Sequence, residues 1–129
     1  MILLDTNALL WLYKDSSDLG AQARQKIVRA TRVHFSAASI MEISIKHMLG
    51  RLPLPGGEGF PEVFIRSGLV ELPLTSAHAA AMTDFPELTR HDPFDRMLVA
   101  QAASEAFELL TSDATLLAQG RGWITDARR

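Results

Sequence analysis

The stretch Met1-Ile2-Leu3-Leu4-Asp5-Thr6-Asn7 is an apolar, strand-like run that ends at an acid and leads into a helical pattern. The same order of features returns at Glu108-Leu109-Leu110-Thr111-Ser112-Asp113. Short apolar runs that alternate with helical patterns are typical of an α/β fold with a mainly parallel sheet. We therefore predict one α/β domain over residues 1–129, with a central sheet of four or five strands flanked by helices.

The remaining elements follow from the same alternation. Pro93 after Asp92 predicts a helix start, and the apolar stretch 97–106 predicts that this helix is the central buried one. Further strands are predicted at 32–36, 69–72, 108–111 and, at an edge of the sheet, 122–124. Further helices are predicted at 7–13, 19–30, from Ser39 to Gly50, at 62–66, after a Thr75 cap, and at 114–118.

Composition restricts the class of protein. Apolar residues make up 47% and charged residues 22% of the chain, which is typical of a globular domain. The absence of cysteine excludes disulfides, a thiolate metal site and a cysteine nucleophile. No apolar run is long enough to span a bilayer, and the first residues do not resemble a secretory leader, so we expect a cytoplasmic protein without a membrane partner.

The net charge restricts how the protein could bind a polyanion. Thirteen Lys and Arg residues stand against fifteen Asp and Glu residues, for a net charge of −2. The molecule as a whole therefore does not attract nucleic acid electrostatically. A polyanionic substrate would need a local basic patch or bound cations.

Acids stand where predicted strands end. Asp5 and Asp113 each follow a strand, and Glu42 is predicted in the first turn of the helix after the second strand. Because the carboxyl ends of parallel strands share one edge of the sheet, these three acids should converge. Asp95 lies in the first turn of the buried helix, but no strand precedes that helix, so the pattern alone does not place it.

Helix capping is an alternative role for each of these acids. The candidates are Asp5 and Asp113 as N-caps, Ser39 with Glu42 as a capping box, and Asp92 with Asp95 as a similar arrangement. Several carboxylates in one cleft would repel one another, and raised pKa values or divalent cations would relieve the repulsion. An all-oxygen cluster favours Mg²⁺ or Mn²⁺ over Zn²⁺, and such ions suit phosphoryl transfer.

Four motifs together resemble one family. They are Leu3-Leu4-Asp5-Thr6-Asn7, Glu42-Ile43-Ser44-Ile45-Lys46 with Leu49-Gly50-Arg51-Leu52, His91-Asp92-Pro93-Phe94-Asp95-Arg96, and Leu110-Thr111-Ser112-Asp113. In order and spacing they resemble PIN-domain nucleases of the VapC toxin type over essentially the whole chain. The resemblance implies a PIN fold and a Mg²⁺- or Mn²⁺-dependent endoribonuclease that hydrolyses RNA with metal-activated water. It also implies a homodimer and a VapB-type antitoxin as partner. The protein would contact DNA only through that antitoxin.

The resemblance also implies roles for individual residues. It places the catalytic metal ligands at Asp5, Glu42, Asp95 and Asp113. Thr6, Asn7 and Thr111 would hydrogen-bond the carboxylates or metal-bound water. Two positions depart from the family pattern. Thr115 stands where many relatives carry a further acid, which would be a ligand for a second metal ion. Met41 stands where close relatives often carry an aromatic residue, so this departure concerns core packing and not the chemistry.

Three cationic residues are candidates for contacts with the RNA phosphates. Lys46 follows Glu42 by four residues, so an ordinary ion pair on the helix is the alternative for this residue. Arg51 lies near the expected metal-binding edge, as Lys46 does. For Arg96, next to Asp95, a structural ion pair and a substrate contact are both open.

Histidines and early apolar residues receive structural interpretations. His34, His47, His78 and His91 share no metal-ligand spacing, so surface or core packing is predicted for each. Leu10 and Trp11, on the first predicted helix, are candidates for an antitoxin groove or a dimer contact.

The sequence lacks the motifs of two other α/β classes that place acids at strand ends. Phosphatases of the haloacid dehalogenase type need a second Asp two residues after the nucleophile, where this chain has Asn7. A response-regulator receiver needs an acidic pair that closes its first strand and a phospho-accepting Asp that closes a middle strand, and neither is evident. A PIN-like module that binds RNA or a partner without cleavage remains the alternative function, and it would need no Mg²⁺ for its contacts.

Overall fold

A parallel sheet forms the centre of the protein in a computed structural model that describes residues 1–129. Its strands are β1 (Ile2–Leu4), β2 (Val33–Ser36), β3 (Val70–Leu72), β4 (Glu108–Thr111) and β5 (Ile124–Asp126). The order is β3-β2-β1-β4-β5, and every neighbouring pair is parallel. The predicted α/β fold with a central parallel sheet is confirmed, and the last strand lies at an edge as predicted.

Helices connect the strands, because parallel neighbours need a crossover connection. They are α1 (Thr6–Lys14), α2 (Ala21–Arg29), α3 (Ala37–Met48), α4 (Glu62–Arg66), α5 (Ser76–Ala81), α6 (Pro93–Glu105) and α7 (Ala114–Ala118). Short 3₁₀ turns lie at Gly57–Gly59, Met82–Asp84 and Pro86–Leu88. None of the helices combines the length and the apolar character that a membrane crossing requires.

The sheet separates two hydrophobic cores. Successive side chains of a strand point to opposite faces, so Ile2 and Leu4 of β1 lie in one core and Leu3 lies in the other. The first core includes Phe35 and Phe64, whose rings pack 5.4 Å apart. In the second core, α6 is buried over residues 98–102 but exposed in its last turn, so its buried part is shorter than the sequence predicted.

Helix α3 begins two residues before the predicted start. The N-cap is Ser36, whose hydroxyl oxygen accepts a hydrogen bond from the backbone N of Ala38 at 2.9 Å. Ser36 is also the last residue of β2, so the strand passes directly into the helix without the expected loop. Glu42 therefore lies in the second turn, and the predicted capping box of Ser39 with Glu42 is wrong. Ser39 is instead fully buried.

The strand order creates a crevice beside β1. The chain adds β2 and β3 on one side of β1, and it later adds β4 and β5 on the other side. Ligands of open parallel sheets bind at the carboxyl ends of the strands, where the order reverses. Asp5 follows β1 and Asp113 follows β4 at this point, so the fold itself brings acids from distant parts of the chain to one place.

Candidate metal centre

A polar cleft of about 460 Å³ lies at the carboxyl ends of β1 and β4. Asp5, Glu42, Asp95 and Asp113 all line it. The structure thus brings together the four acids that the sequence singled out. It includes Asp95, whose position the pattern had left open.

Asp5 is held by three hydrogen-bond donors. Its Oδ1 accepts from the backbone N of Ala8 at 2.7 Å, which caps α1. Its Oδ2 accepts from the Thr111 hydroxyl at 2.8 Å and from the backbone N of Ser112 at 3.0 Å. Burial raises the pKa of Asp5, while these hydrogen bonds oppose the rise. Asp5 is therefore both a helix cap and a rigidly oriented carboxylate of the cleft.

Glu42 is also held at both carboxylate oxygens. The Oγ1 atom of Thr6 lies 2.6 Å from Oε1 of Glu42 and 2.9 Å from Oγ of Ser39. A hydroxyl has one hydrogen and a carboxylate oxygen only accepts, so Thr6 donates to Glu42 and receives the Ser39 hydroxyl. The second oxygen, Oε2, lies 2.8 Å from Nζ of Lys46. The ordinary ion pair predicted for Lys46 is thus present, within the cleft itself.

Capping accounts for Asp113 but not for Asp95. The Oδ1 atom of Asp113 accepts from the backbone N of Leu116 at 2.9 Å and caps α7. The cap of α6 is Asp92, whose Oδ1 accepts from the backbone N of Phe94 and of Asp95. The Asp95 carboxylate therefore does not cap a helix.

The pKa of Asp95 responds to burial and to the other carboxylates of the cleft. Burial and the surrounding carboxylates raise the pKa of Asp95 to about 7. The carboxylates that contribute, in decreasing order, are those of Asp113, Asp92, Asp5 and Glu42. Near neutral pH a proton or a bound cation at Asp95 would therefore reduce the repulsion in the cleft.

His91 lies at this cluster, which the sequence analysis did not predict. Its Nε2 atom lies 3.3 Å from Oδ2 of Asp95 and 3.2 Å from Oδ2 of Asp113. The nitrogen is buried, and its angles to these oxygens are not those of a hydrogen bond. The prediction of surface or core packing is therefore wrong for His91. His91 precedes α6, so no helical spacing linked it to Asp95.

The other three histidines lie elsewhere. His34 is buried and stacks on Phe107, with ring centroids 4.5 Å apart. His78 is buried and caps α5 together with Thr75. His47 is exposed on α3. For these three, the predicted packing and surface roles are confirmed.

A sequence model of the PIN domain matches residues 2–121. The chain belongs to the PIN domain family. No curated protein matches the sequence significantly.

Solved structures show the same fold. VapBC2 from Rickettsia felis, bound to a DNA fragment from its promoter, aligns with a TM-score of 0.65 at 14% identity over 92% of each chain. A toxin-antitoxin complex from Klebsiella pneumoniae aligns with a TM-score of 0.66 at 15% identity over 98% of each chain. DNA-bound VapBC from Salmonella typhimurium aligns with a TM-score of 0.58 at 23% identity over 85% of this chain and 83% of the other. At these identities the likeness establishes a shared fold.

Polar side chains next to the acids of this PIN domain have different partners. Thr6 and Thr111 donate to the carboxylates of Glu42 and Asp5, as described above. Asn7 lines the cleft, but its Nδ2 donates to Oγ of Ser112 at 3.0 Å rather than to a carboxylate. Ser112 thereby joins the site through both its backbone N and its hydroxyl. The strand-end pattern marked the acids but carried no signal for Ser112.

Two predicted cationic residues lie outside the cleft of the PIN domain. Arg51 is exposed and is not among the residues that line it. Arg96 turns away from Asp95, because its guanidinium donates to the backbone oxygen of Thr89 at 3.0 Å. It therefore does not form the ion pair with Asp95 that the sequence left open.

A cationic residue that sequence reasoning missed lines the cleft instead. Arg128 follows β5 near the end of the chain, and its guanidinium lies 5.8 Å from the ring centroid of Trp11. The backbone N of Gly20 donates to the oxygen of Ala127 at 2.9 Å, which holds this part of the chain beside the start of α2. The placement depends on tertiary contacts over more than a hundred residues, so no local pattern could show it.

The two departures from the family pattern have simple structural outcomes. Met41 is 57% exposed on α3, so the missing aromatic residue does not affect the core. Thr115 is exposed on α7 and does not line the cleft.

The residues of this PIN domain fit a divalent cation. Five carboxylates line the cleft against two cationic side chains, Lys46 and Arg128. Burial and the neighbouring carboxylates raise the pKa of Asp95 to about 7, so a proton or a cation at this carboxylate is favoured near neutral pH. The buried Nε2 of His91, without a hydrogen-bond partner, faces the same acids. A bound cation would relieve the repulsion.

Proposed function

We propose that this PIN domain is a VapC-type toxin, a Mg²⁺- or Mn²⁺-dependent endoribonuclease that hydrolyses RNA phosphodiester bonds in the cytoplasm. The observation that carries the proposal is the convergence of Asp5, Glu42, Asp95 and Asp113 in one cleft. The VapBC complexes that share the fold support the assignment to a toxin. The complete set of acids favours catalysis over an RNA- or partner-binding module.

The proposed division of labour follows from the contacts. Asp5, Glu42, Asp95 and Asp113 would hold the metal. When bound, a divalent ion polarises the scissile phosphate, activates the attacking water and stabilises the leaving oxygen.

Neighbouring side chains fix the orientation of two of these acids. Thr111 and the backbone of Ser112 fix Asp5, while Thr6 and Lys46 fix Glu42. Such support preorganises the carboxylates, so the chain spends little free energy on ordering them when the reaction begins.

The function is tested by RNA cleavage with purified, antitoxin-free protein. We expect discrete products from total bacterial RNA with Mg²⁺ or Mn²⁺ and none with EDTA. Asp113→Asn is the informative variant, because an asparagine Oδ1 can still accept from the Leu116 backbone N while the negative charge is lost. Its cleavage should fall to background while its circular dichroism spectrum stays that of the wild type.

Three outcomes would contradict the proposal. Cleavage that survives EDTA, or that is equal in Asp113→Asn and wild type, would exclude this site as its source. RNA binding without cleavage, unaffected by metal, would favour the binding module.

Arg128 is the candidate substrate-binding cation of the cleft. Of the two cationic side chains that line the cleft, Lys46 is paired with Glu42, whereas the guanidinium of Arg128 has no carboxylate partner. Its guanidinium is exposed beside the acids, where a phosphate of the RNA backbone would pass. We therefore propose that Arg128, rather than Arg51 or Arg96, contacts the substrate.

We expect Arg128→Gln to raise the KM for RNA about tenfold with little change in kcat, because one charge-assisted phosphate contact is worth roughly 1.5 kcal/mol. Steady-state cleavage of one defined RNA checks this. Arg51→Gln and Arg96→Gln remove the same charge outside the cleft, so they should behave as wild type. Equal effects of all three changes would mean that only the overall charge matters.

An apolar groove of about 600 Å³ is the proposed seat of the antitoxin. It lies between α1, α2, α4 and the edge strand β3, and it is a different surface from the acidic cleft. Its walls include Leu9, Leu12 and Tyr13 of α1, Ile27 of α2 and Phe64 of α4. A groove of this kind suits the apolar face of a partner helix, and we propose a VapB-type antitoxin as that partner.

Leu10 and Trp11, which the sequence suggested for this contact, do not line the groove. Leu10 is only 8% exposed and belongs to the first core, so it is not available to a partner. Trp11 packs against the same core and faces Arg128. Their neighbours Leu12 and Tyr13 line the groove instead.

We also propose a homodimer. Helix α3 and the residue that ends it carry exposed apolar side chains at helical spacing, namely Met41, Ile45 and Met48 with the C-cap Leu49. These positions share one face of the helix, and a contiguous exposed apolar face is typical of an interface.

A further inference from the structure

We propose that His91 supplies a nitrogen ligand to a divalent cation bound by Asp95 and Asp113, and that this site prefers a transition-metal ion such as Mn²⁺ to Mg²⁺. The inference rests on the proposed function only in assuming that the cleft takes up a divalent ion. It differs from the expectation of an all-oxygen site.

The distances among the ligand atoms of His91, Asp95 and Asp113 suit a shared ion. One ligand atom from each of His91, Asp95 and Asp113 lies within 4.8 Å of the others. Metal–ligand bonds in proteins are about 2.0–2.3 Å long, so atoms bound to one ion lie roughly 3 to 4.5 Å apart. The three side chains already have the spacing of ligands around a common centre.

The hydrogen bonds of each group carry the second step. Asp113 uses Oδ1 for the helix cap, so Oδ2, which faces His91, is the oxygen left for an ion. Asp95 accepts no hydrogen bond from the cap of α6 and also turns Oδ2 toward His91. The Nε2 atom of His91 is buried without a hydrogen-bond partner. A buried polar atom without a partner costs free energy, and a metal–nitrogen bond would remove that cost.

The remaining neighbours of Asp95 and Asp113 supply oxygen ligands or no ligand, and no second nitrogen donor lies at this cluster. Thr115 does not line the cleft. Arg96 points away toward Thr89, and Lys46 is paired with Glu42. His91 is thus the donor that completes a set of three with Asp95 and Asp113.

The donor type determines the expected preference for metal. Mg²⁺ takes oxygen ligands and keeps several waters, whereas imidazole nitrogen binds first-row transition ions more readily. Loss of the imidazole should therefore weaken Mn²⁺ binding more than Mg²⁺ binding.

The direct test is electron spin echo envelope modulation of Mn²⁺ bound to the wild-type protein. We expect modulation from a directly bound ¹⁴N nucleus, replaced by the ¹⁵N pattern when the protein is made with ¹⁵N-labelled histidine. This measurement needs no variant and no RNA. A spectrum without histidine nitrogen coupling, or no Mn²⁺ binding at millimolar concentration, would overturn the inference.

His91→Ala identifies the histidine, and His47→Ala is the matched control, because His47 is exposed and lies outside the cleft. In His91→Ala the nitrogen modulation should disappear, with Mn²⁺ affinity lowered at least about tenfold and Mg²⁺ affinity nearly unchanged. His47→Ala should match the wild type in both. Nitrogen coupling that persists in His91→Ala would also overturn the inference. Nitrogen coupling in a protein that cleaves no RNA would instead contradict the proposed function and leave the histidine ligand standing.

Discussion

Asp95→Asn should reduce metal-dependent RNA cleavage by at least about 100-fold and should make the metal-free protein more stable. A loss of this size is usual when an enzyme loses one group that stabilises transition-state charge. The two effects have one cause. Asp95 contributes a carboxylate to the cleft, where burial and four other acids already raise its pKa to about 7. Asparagine has the same shape without the charge, so it removes a metal ligand and the repulsion together.

The gain in stability should depend on pH. The pKa of Asp95 is about 7 in the folded protein and near the ordinary value of 3.8 in the unfolded chain. Between these values the folded state binds more protons than the unfolded state, so the wild type loses stability as pH rises. Asparagine does not titrate. The difference between variant and wild type should therefore be near zero at about pH 4 and greatest above pH 7. We expect about 1–3 kcal/mol there, less than the full pKa shift would give, because solvent screens part of the repulsion at this half-buried carboxylate.

Thermal or urea denaturation in EDTA at several pH values checks this, with RNA cleavage measured in parallel. Asp84→Asn is a suitable control, because it removes the same charge from an exposed residue outside the cleft. Mg²⁺ or Mn²⁺ should stabilise the wild type more than Asp95→Asn. The reason is that a bound ligand stabilises the native state, and the wild type, which keeps all four acids, should bind the ion more tightly. A variant that is less stable than the wild type at pH 8 would mean that the acids do not repel one another there.

Ile27→Glu should weaken binding of the antitoxin by at least about 100-fold, because a buried, unpaired charge in an apolar interface costs several kcal/mol. Ile27 lies on α2 in the wall of the apolar groove. It is partly exposed, and glutamate is a good helix former, so the fold should tolerate the change. RNA cleavage should be unaffected, because Ile27 is outside the acidic cleft.

Val28→Glu provides a matched control on the same helix. Val28 is 82% exposed and does not line the groove. Titration of each toxin with the co-purified cognate antitoxin, followed by RNA cleavage, gives the concentration needed for inhibition. The groove assignment would be wrong if Ile27→Glu were inhibited as strongly as Val28→Glu.

The elements that the sequence predicted best are those with strong local signals at both ends. Helices α4 and α7 and strand β4 have the predicted bounds, since turn residues and caps delimit them. Helix α3 was predicted to begin late, because Ser36 serves as both strand end and cap, and a local pattern assigns a residue to one element.

The site shows the same division between local and tertiary information. The ends of β1 and β4 made Asp5 and Asp113 predictable, because the topology of a parallel sheet brings strand ends together. Asp95 and His91 reach the cleft only through the packing of α6 against the sheet. Arg128 arrives from the far end of the chain. For these residues the decisive contacts are between segments distant in sequence, which periodicity and capping rules do not describe.

The close contact between the start of α2 and Arg129 restricts which residue can stand at position 20. The backbone N of Gln22 donates to the oxygen of Arg129, and a Cβ on Gly20 would lie 2.1 Å from the carbonyl carbon of that residue. Arg129 therefore packs tightly against the start of α2, one residue away from Arg128 in the cleft. Any side chain larger than that of glycine at position 20 would push Arg129 outward and displace the guanidinium of Arg128 from beside the acids.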